Sequence, residues 1–139
     1  MHLAKHVAVI LVDSSIWIAA ERGLISLRDV VPAGEIVATC PAIAHEVLRG
    51  AQNAKQYQLA RDALFKTEML DSPTPFSRFE DAANLYFRCR KGGITAFGMD
   101  CIIAACAIAN GAPLLHQDVD FDLIAGCIPE LKIFTRSSS

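Results

Sequence analysis

The sequence predicts an α/β fold, a parallel sheet with crossover helices on both faces. Two observations carry this reading. The Val-, Ile- and Leu-rich run over residues 7–12 is apolar without alternation, as in a strand buried on both faces. Short apolar runs then alternate along the chain with segments of helical spacing, with no internal repeat, linker or low-complexity block. At 139 residues, a single domain over 1–139 is expected, with 1–6 and 136–139 as loosely ordered tails. A chain of this size buries roughly two-thirds of the surface its unfolded form exposes, enough for a core without staples.

The elements follow in order. After the first strand, Asp13 or Ser14 is placed to cap a helix over 15–21. Residues 24–31 form a second helical segment, ended by Pro32-Ala33-Gly34. Residues 35–39 read as a strand, and Pro41 suits the first turn of a helix running to about Gly50. Tyr57, Leu59, Ala60, Ala63 and Leu64 give helical spacing to residues 53–69. After the loop 71–75, Ser77 and Glu80 make a capping box, so a helix starts there and stops near Gly92-Gly93. Residues 99–110 form a helix apolar almost all round, closed by Gly111 and Pro113. A strand over 113–116, a short helix over 121–125 and a last strand over 132–134 complete the pattern.

Composition narrows the function. Of the residues, 53% are hydrophobic and 20% charged, which excludes intrinsic disorder. The net charge of −2 (13 basic against 15 acidic residues) is not that of a protein gripping nucleic acid by bulk charge. The five cysteines are odd in number and form no CxxC pair, so they read as small buried hydrophobes in a reducing cytoplasm. No segment has the pattern of a signal peptide or a membrane span.

Four carboxylates stand out against this apolar background. Asp13 and Asp118 directly follow predicted strands, at the carboxyl edge where open α/β sheets bind ligands. Asp100 opens a helix that carries no other charge, and Glu46 lies in the largely apolar run 42–48. Each has a plain structural use: Asp13 as an N-cap, Asp100 beside a helix dipole, Glu46 paired with Arg49, Asp118 in a turn. Their convergence on one edge favours a site. Clustered carboxylates raise one another's pKa, and a divalent cation removes the conflict. An all-oxygen donor set favours Mg²⁺ or Mn²⁺, and such sites stabilise in-line displacement at phosphorus.

The stretches that hold these acids resemble those of PIN-domain ribonucleases, specifically the VapC-type toxins of bacterial toxin–antitoxin pairs. They are Val9-Ile10-Leu11-Val12-Asp13-Ser14-Ser15-Ile16-Trp17-Ile18, Cys40-Pro41-Ala42-Ile43-Ala44-His45-Glu46-Val47-Leu48-Arg49-Gly50, Gly93-Ile94-Thr95 with Met99-Asp100-Cys101-Ile102-Ile103-Ala104-Ala105-Cys106-Ala107, and Leu114-Leu115-His116-Gln117-Asp118-Val119-Asp120-Phe121. The similarity runs from about residue 7 to 125. It implies a three-layer α/β/α sandwich around a parallel sheet, and Mg²⁺- or Mn²⁺-dependent endonucleolytic cleavage of RNA. Its catalytic quartet falls on Asp13, Glu46, Asp100 and Asp118. Asp13, Asp100 and Asp118 are the implied metal ligands, and Glu46 either ligates metal or orients the attacking water. Asp120 is an accessory ligand, and Ser14 matches a hydroxyl that orients the first acid. The resemblance also implies a homodimer and a small VapB-like antitoxin, with DNA met only through that antitoxin and no membrane partner. The chain departs from the pattern at Phe97-Gly98, where related toxins often carry basic residues.

Arg49, Arg88, Arg90 and Lys91 are candidate RNA contacts, although the last three read first as a solvated helix C-terminus favoured by its dipole. His116 reads as a satisfied strand-end histidine, and Trp17 and Phe121 as core or dimer residues. A dehalogenase-like phosphatase would need a second acid at position 15, where Ser15 stands. The alternative from another class is a non-catalytic PIN-like binding module acting through its antitoxin.

Overall fold

A computed structural model describes residues 7–135. The two tails expected to be loose, 1–6 and 136–139, lie outside the described residues. The elements run β1 (Val9–Val12), α1 (Ser14–Glu21), α2 (Leu27–Val30), β2 (Ile36–Thr39), α3 (Pro41–Arg49), α4 (Ala54–Phe65), β3 (Glu68–Met69), α5 (Phe76–Lys91), α6 (Gly98–Ala109), β4 (Leu114–Leu115) and α7 (Val119–Cys127). The four strands form one parallel sheet in the order β3-β2-β1-β4. The register pairs Leu11 with Ala38 on one side and with Leu114 on the other.

β1 explains the arrangement. Successive strand side chains point to opposite faces, and Ile10, Leu11 and Val12 are all 0% exposed. Both faces of the sheet are therefore covered, as the unalternating run requires. The core is continuous from these residues through Ile43, Ile103, Leu114 and Phe121. α6 packs its apolar surface almost all round, with Cys101, Ile103, Ala104, Ala105, Cys106 and Ala107 buried. All five cysteines are free thiols, four of them buried and Cys127 half-buried. Gly111 closes α6 with φ +61°, a left-handed turn that a side chain would strain. Among the described residues no helix is long and apolar enough to cross a membrane.

Several sequence expectations are corrected. The helix expected over 53–69 ends at Phe65, because Glu68 and Met69 pair with Ala38 and Thr39 along the free side of β2. A two-residue strand has no alternation to read, so only the tertiary pairing defines it. The capping box at Ser77 does not form. α5 starts at Phe76, with extended Pro75 (φ −72°, ψ 154°) as its cap residue and Arg78 N–H donating to the Pro75 carbonyl. The helix expected over 24–31 contracts to Leu27–Val30. The last strand contracts to a single parallel bridge between Leu114 and Ile133. The short helix near 121 instead spans Val119–Cys127, because the Asp118 side chain caps it by accepting from Asp120 N–H at 2.9 Å.

Ile103 is fully buried in the layer that carries Asp100. Ile103→Ala is expected to cost about 2–5 kcal/mol through lost burial and a residual cavity. A urea titration should show a lower midpoint with an unchanged slope.

Candidate active site

The sheet order supplies the site. Chain connections leave β1 toward β2 on one side and arrive at β4 on the other, so the strand order reverses between β1 and β4. In open α/β sheets the crevice beyond the carboxyl ends at such a reversal receives the ligand. Asp13 follows β1 and caps α1, and Asp118 follows β4 and caps α7. Two helices bring further acids to this edge: Asp100 lies in the first turn of α6, and Glu46 on α3.

Asp13 is 3% exposed and Asp100 8%. The closest grouping is Asp100, Asp118 and Asp120, which present carboxylate oxygens all within 4.8 Å of one another. Asp120 thus stands inside the cluster rather than beside it. Asp13 is held separately. Ser15 donates to Asp13 Oδ2 from its hydroxyl at 2.7 Å and from its backbone N–H at 3.1 Å. The same Ser15 hydroxyl accepts from Gln117 N–H at 3.0 Å, fastening the end of β1 to the segment after β4. Ser14 is turned elsewhere: its hydroxyl donates to Glu46 Oε1 at 3.3 Å. The orienting hydroxyl expected at Ser14 therefore serves Glu46, and Ser15 holds the first acid. The signal for Ser15 was present in Asp13-Ser14-Ser15, since a hydroxyl two residues beyond an aspartate readily closes a local turn.

The acids feel one another. Burial, followed by the charges of Asp118, Asp13, Glu46 and Asp120, pushes the Asp100 carboxyl up to about 7. Burial also raises Asp13, against the lowering effect of its Ser15 hydrogen bonds. Glu46 is raised by burial and then by the Asp13 charge. Among the described residues no Lys or Arg pairs with Asp13, Asp100, Asp118 or Asp120; Glu46 meets Arg49, itself exposed, at 3.8 Å. A set of hard oxygen donors, partly buried and without a cation of its own, fits a divalent metal ion.

The other candidates are engaged elsewhere. Arg88 makes two hydrogen bonds to Glu130, at 2.6 and 3.0 Å. Arg90 lies 6.0 Å above the Tyr86 ring and Lys91 5.0 Å above that of Phe87. His116 Nδ1 accepts from Asp118 N–H at 3.0 Å, and its ring packs 5.3 Å from buried Phe121. Trp17 is buried and its Nε1–H donates to the Val12 carbonyl at 3.2 Å, a core role beside the site.

A family model described as PIN domain matches residues 10–126. Ribonuclease VapC11 of Mycobacterium tuberculosis is 32% identical over 124 residues, covering 84% of this chain and 92% of that relative. A structure of VapBC-5, a member of the VapBC family of toxin–antitoxin systems from the same species, superposes with a TM-score of 0.66 at 20% identity, covering 93% of this chain and 99% of that one. VapBC2 from Rickettsia felis, bound to a DNA fragment from its promoter, gives a TM-score of 0.68 at 19% identity, covering 91% and 97%. These two structures share the fold described above.

Two consequences can be measured. Between pH 3.8 and about 7, folded Asp100 holds a proton that the unfolded chain has lost. Metal-free protein should therefore lose stability as pH rises through that window, by at most about 4 kcal/mol, and Asp100→Asn should flatten the dependence. Urea titrations in chelator across the window test this. Ser15→Ala removes a charge-assisted hydrogen bond from a buried carboxylate and should cost about 1.5–3 kcal/mol, more than Ser14→Ala in the same titration.

Proposed function

The chain belongs to the PIN domain family, and from that premise we propose that it is a metal-dependent endoribonuclease, the toxin of a cytoplasmic toxin–antitoxin pair. The observation that carries the reading is the cluster of acids at the sheet reversal, with Asp100 buried among four other carboxylates and no basic partner. The relatives named ribonuclease VapC supply the substrate class, and the VapBC structures support a small cognate antitoxin as partner.

In this reading Asp13, Asp100 and Asp118 hold Mg²⁺ or Mn²⁺, and Asp120 completes the set. The ion supplies Lewis-acid stabilisation to the charge that develops on the scissile phosphate. The chain's own groups do the rest. Ser15 holds Asp13 in one rotamer at the end of β1, so the first acid needs no rearrangement on binding. Glu46, kept within reach of the edge by Ser14 and raised by burial, accepts a proton from the attacking water. Arg49, exposed one turn beyond Glu46, is the basic residue best placed for an RNA phosphate.

The test is cleavage of single-stranded RNA by the purified chain. Removing several kcal/mol of transition-state stabilisation should lower the rate about 10²–10³-fold in Asp13→Asn and in Asp100→Asn. Chelation should abolish cleavage, and added Mg²⁺ or Mn²⁺ should restore it. Wild-type cleavage no faster than that of the variants would leave the non-catalytic binding module as the better account.

A further inference from the structure

Three residues, His116-Gln117-Asp118, carry the chain from β4 to α7. The backbone N–H of the last two is taken by side chains. Gln117 N–H donates to the Ser15 hydroxyl. Asp118 N–H donates to His116 Nδ1 at 3.0 Å, across a single intervening residue. The imidazole that accepts it is not a loose surface ring. Its side chain is 5% exposed, and it packs tilted against Phe121, itself buried at the third position of α7. Its other nitrogen, Nε2, lies 3.1 Å from Asp122 Oδ1, one residue further along the same helix. A ring nitrogen that accepts carries no proton, so the proton sits on Nε2 and the ring is held in one tautomer. One buried side chain thus touches the residue that caps α7 and two residues of its first turn.

We infer that His116 is a positioning residue for the acidic site: by accepting the Asp118 N–H it fixes Asp118 and, through the cap of α7, Asp120. Asp118 is extended (φ −118°, ψ 119°) and precedes the helix, so its N–H has no helical partner. Its Oδ1 accepts from Asp120 N–H at 2.9 Å, the contact that starts α7. The backbone of Asp118 is therefore pinned by His116, and its carboxylate by the helix it caps. Asp120 rides the same turn, and both acids present oxygens within 4.8 Å of Asp100. Asp100 stands on α6, so the spacing of the three carboxylates depends on how the first turn of α7 is seated. His116 also meets Phe121 and Asp122, and so holds that turn as a unit. An apolar side chain of similar size would fill the space beside Phe121 and leave Asp118 N–H without its acceptor. Groups that orient the ligands of a metal are worth about 10–100-fold in its affinity. The inference rests on the metal-dependent reading for the ion alone; the seating of Asp118 and Asp120 holds without it.

Two variants separate the acceptor from the bulk of the ring. His116→Asn keeps an oxygen at the Nδ1 position, whereas His116→Leu keeps volume and no acceptor. Mn²⁺ titrations of the purified chain, read by electron paramagnetic resonance, should show affinity lowered about 10-fold or more in His116→Leu and within about 3-fold of native in His116→Asn. In chelator, amide exchange at Asp118 and Asp120 should accelerate about 10-fold or more in His116→Leu and stay near native in His116→Asn. Exchange at Leu11, whose N–H is bonded inside the sheet to the Pro113 carbonyl, should not change in either. His116→Leu matching the native chain in Mn²⁺ affinity or in exchange would overturn the inference. So would His116→Asn losing as much as His116→Leu, or Leu11 accelerating in step with Asp118, which marks a loss of stability alone. A native chain that binds no Mn²⁺ would defeat the metal-dependent reading instead, and exchange in chelator then decides the inference by itself. Should His116→Leu misfold, His116→Gln, which moves the acceptor to the Nε2 position, takes its place in both measurements.

Discussion

The rest of the molecule is arranged around the cost of taking several carboxylates out of water at one place. Asp13 and Asp100 are nearly as buried as the core leucines, and among the described residues no Lys or Arg pairs with them. An isolated buried carboxylate costs several kcal/mol. The chain meets this in two ways. Asp13 receives two hydrogen bonds from Ser15, which lower its pKa against the burial that raises it. Asp100 receives none from any described side chain and instead tends to stay protonated near neutral pH. The same residues are thus a source of instability to the empty fold and a strong attraction for a divalent ion, so cation binding and stability are linked.

That arrangement explains why the centre of the sheet is so plain. β1 is aliphatic up to Asp13, which follows it, and α6 carries almost nothing but aliphatic and small side chains beyond Asp100 in its first turn. A close-packed interior transmits little slack, so buried Val12 and Cys101 set the positions of their neighbours Asp13 and Asp100 firmly. The contact from Gln117 N–H to Ser15 then ties the two strand ends together. One hydroxyl both orients the first acid and keeps the β1 and β4 sides of the crevice in register.

Much of this was legible in the sequence because burial leaves a strong imprint. The run over 7–12, the uncharged helix around Asp100 and the acids after two strands follow directly from the need to cover a parallel sheet on both faces. What escaped reading was decided by tertiary pairing or by local geometry. Glu68 and Met69 became a strand only because β2 offered them a free side. Asp118 was read as a turn residue and a site residue, yet it also caps α7, and the helix it starts carries Asp120 into the cluster. Ser14 and Ser15 are chemically identical neighbours, and only the turn beyond β1 decides which of them reaches Asp13. Arg88, Arg90 and Lys91 looked like one basic patch, but each is committed to a different local partner.

The charge balance takes on a specific meaning in this light. A net charge of −2 excludes broad electrostatic capture of a polyanion. In the metal-free state the crevice is acidic and repels phosphate. A bound divalent ion would offset much of that local charge while leaving the surrounding surface unaltered. A phosphodiester would then be drawn to that one edge, and it would depend on the ion for attraction as well as for chemistry.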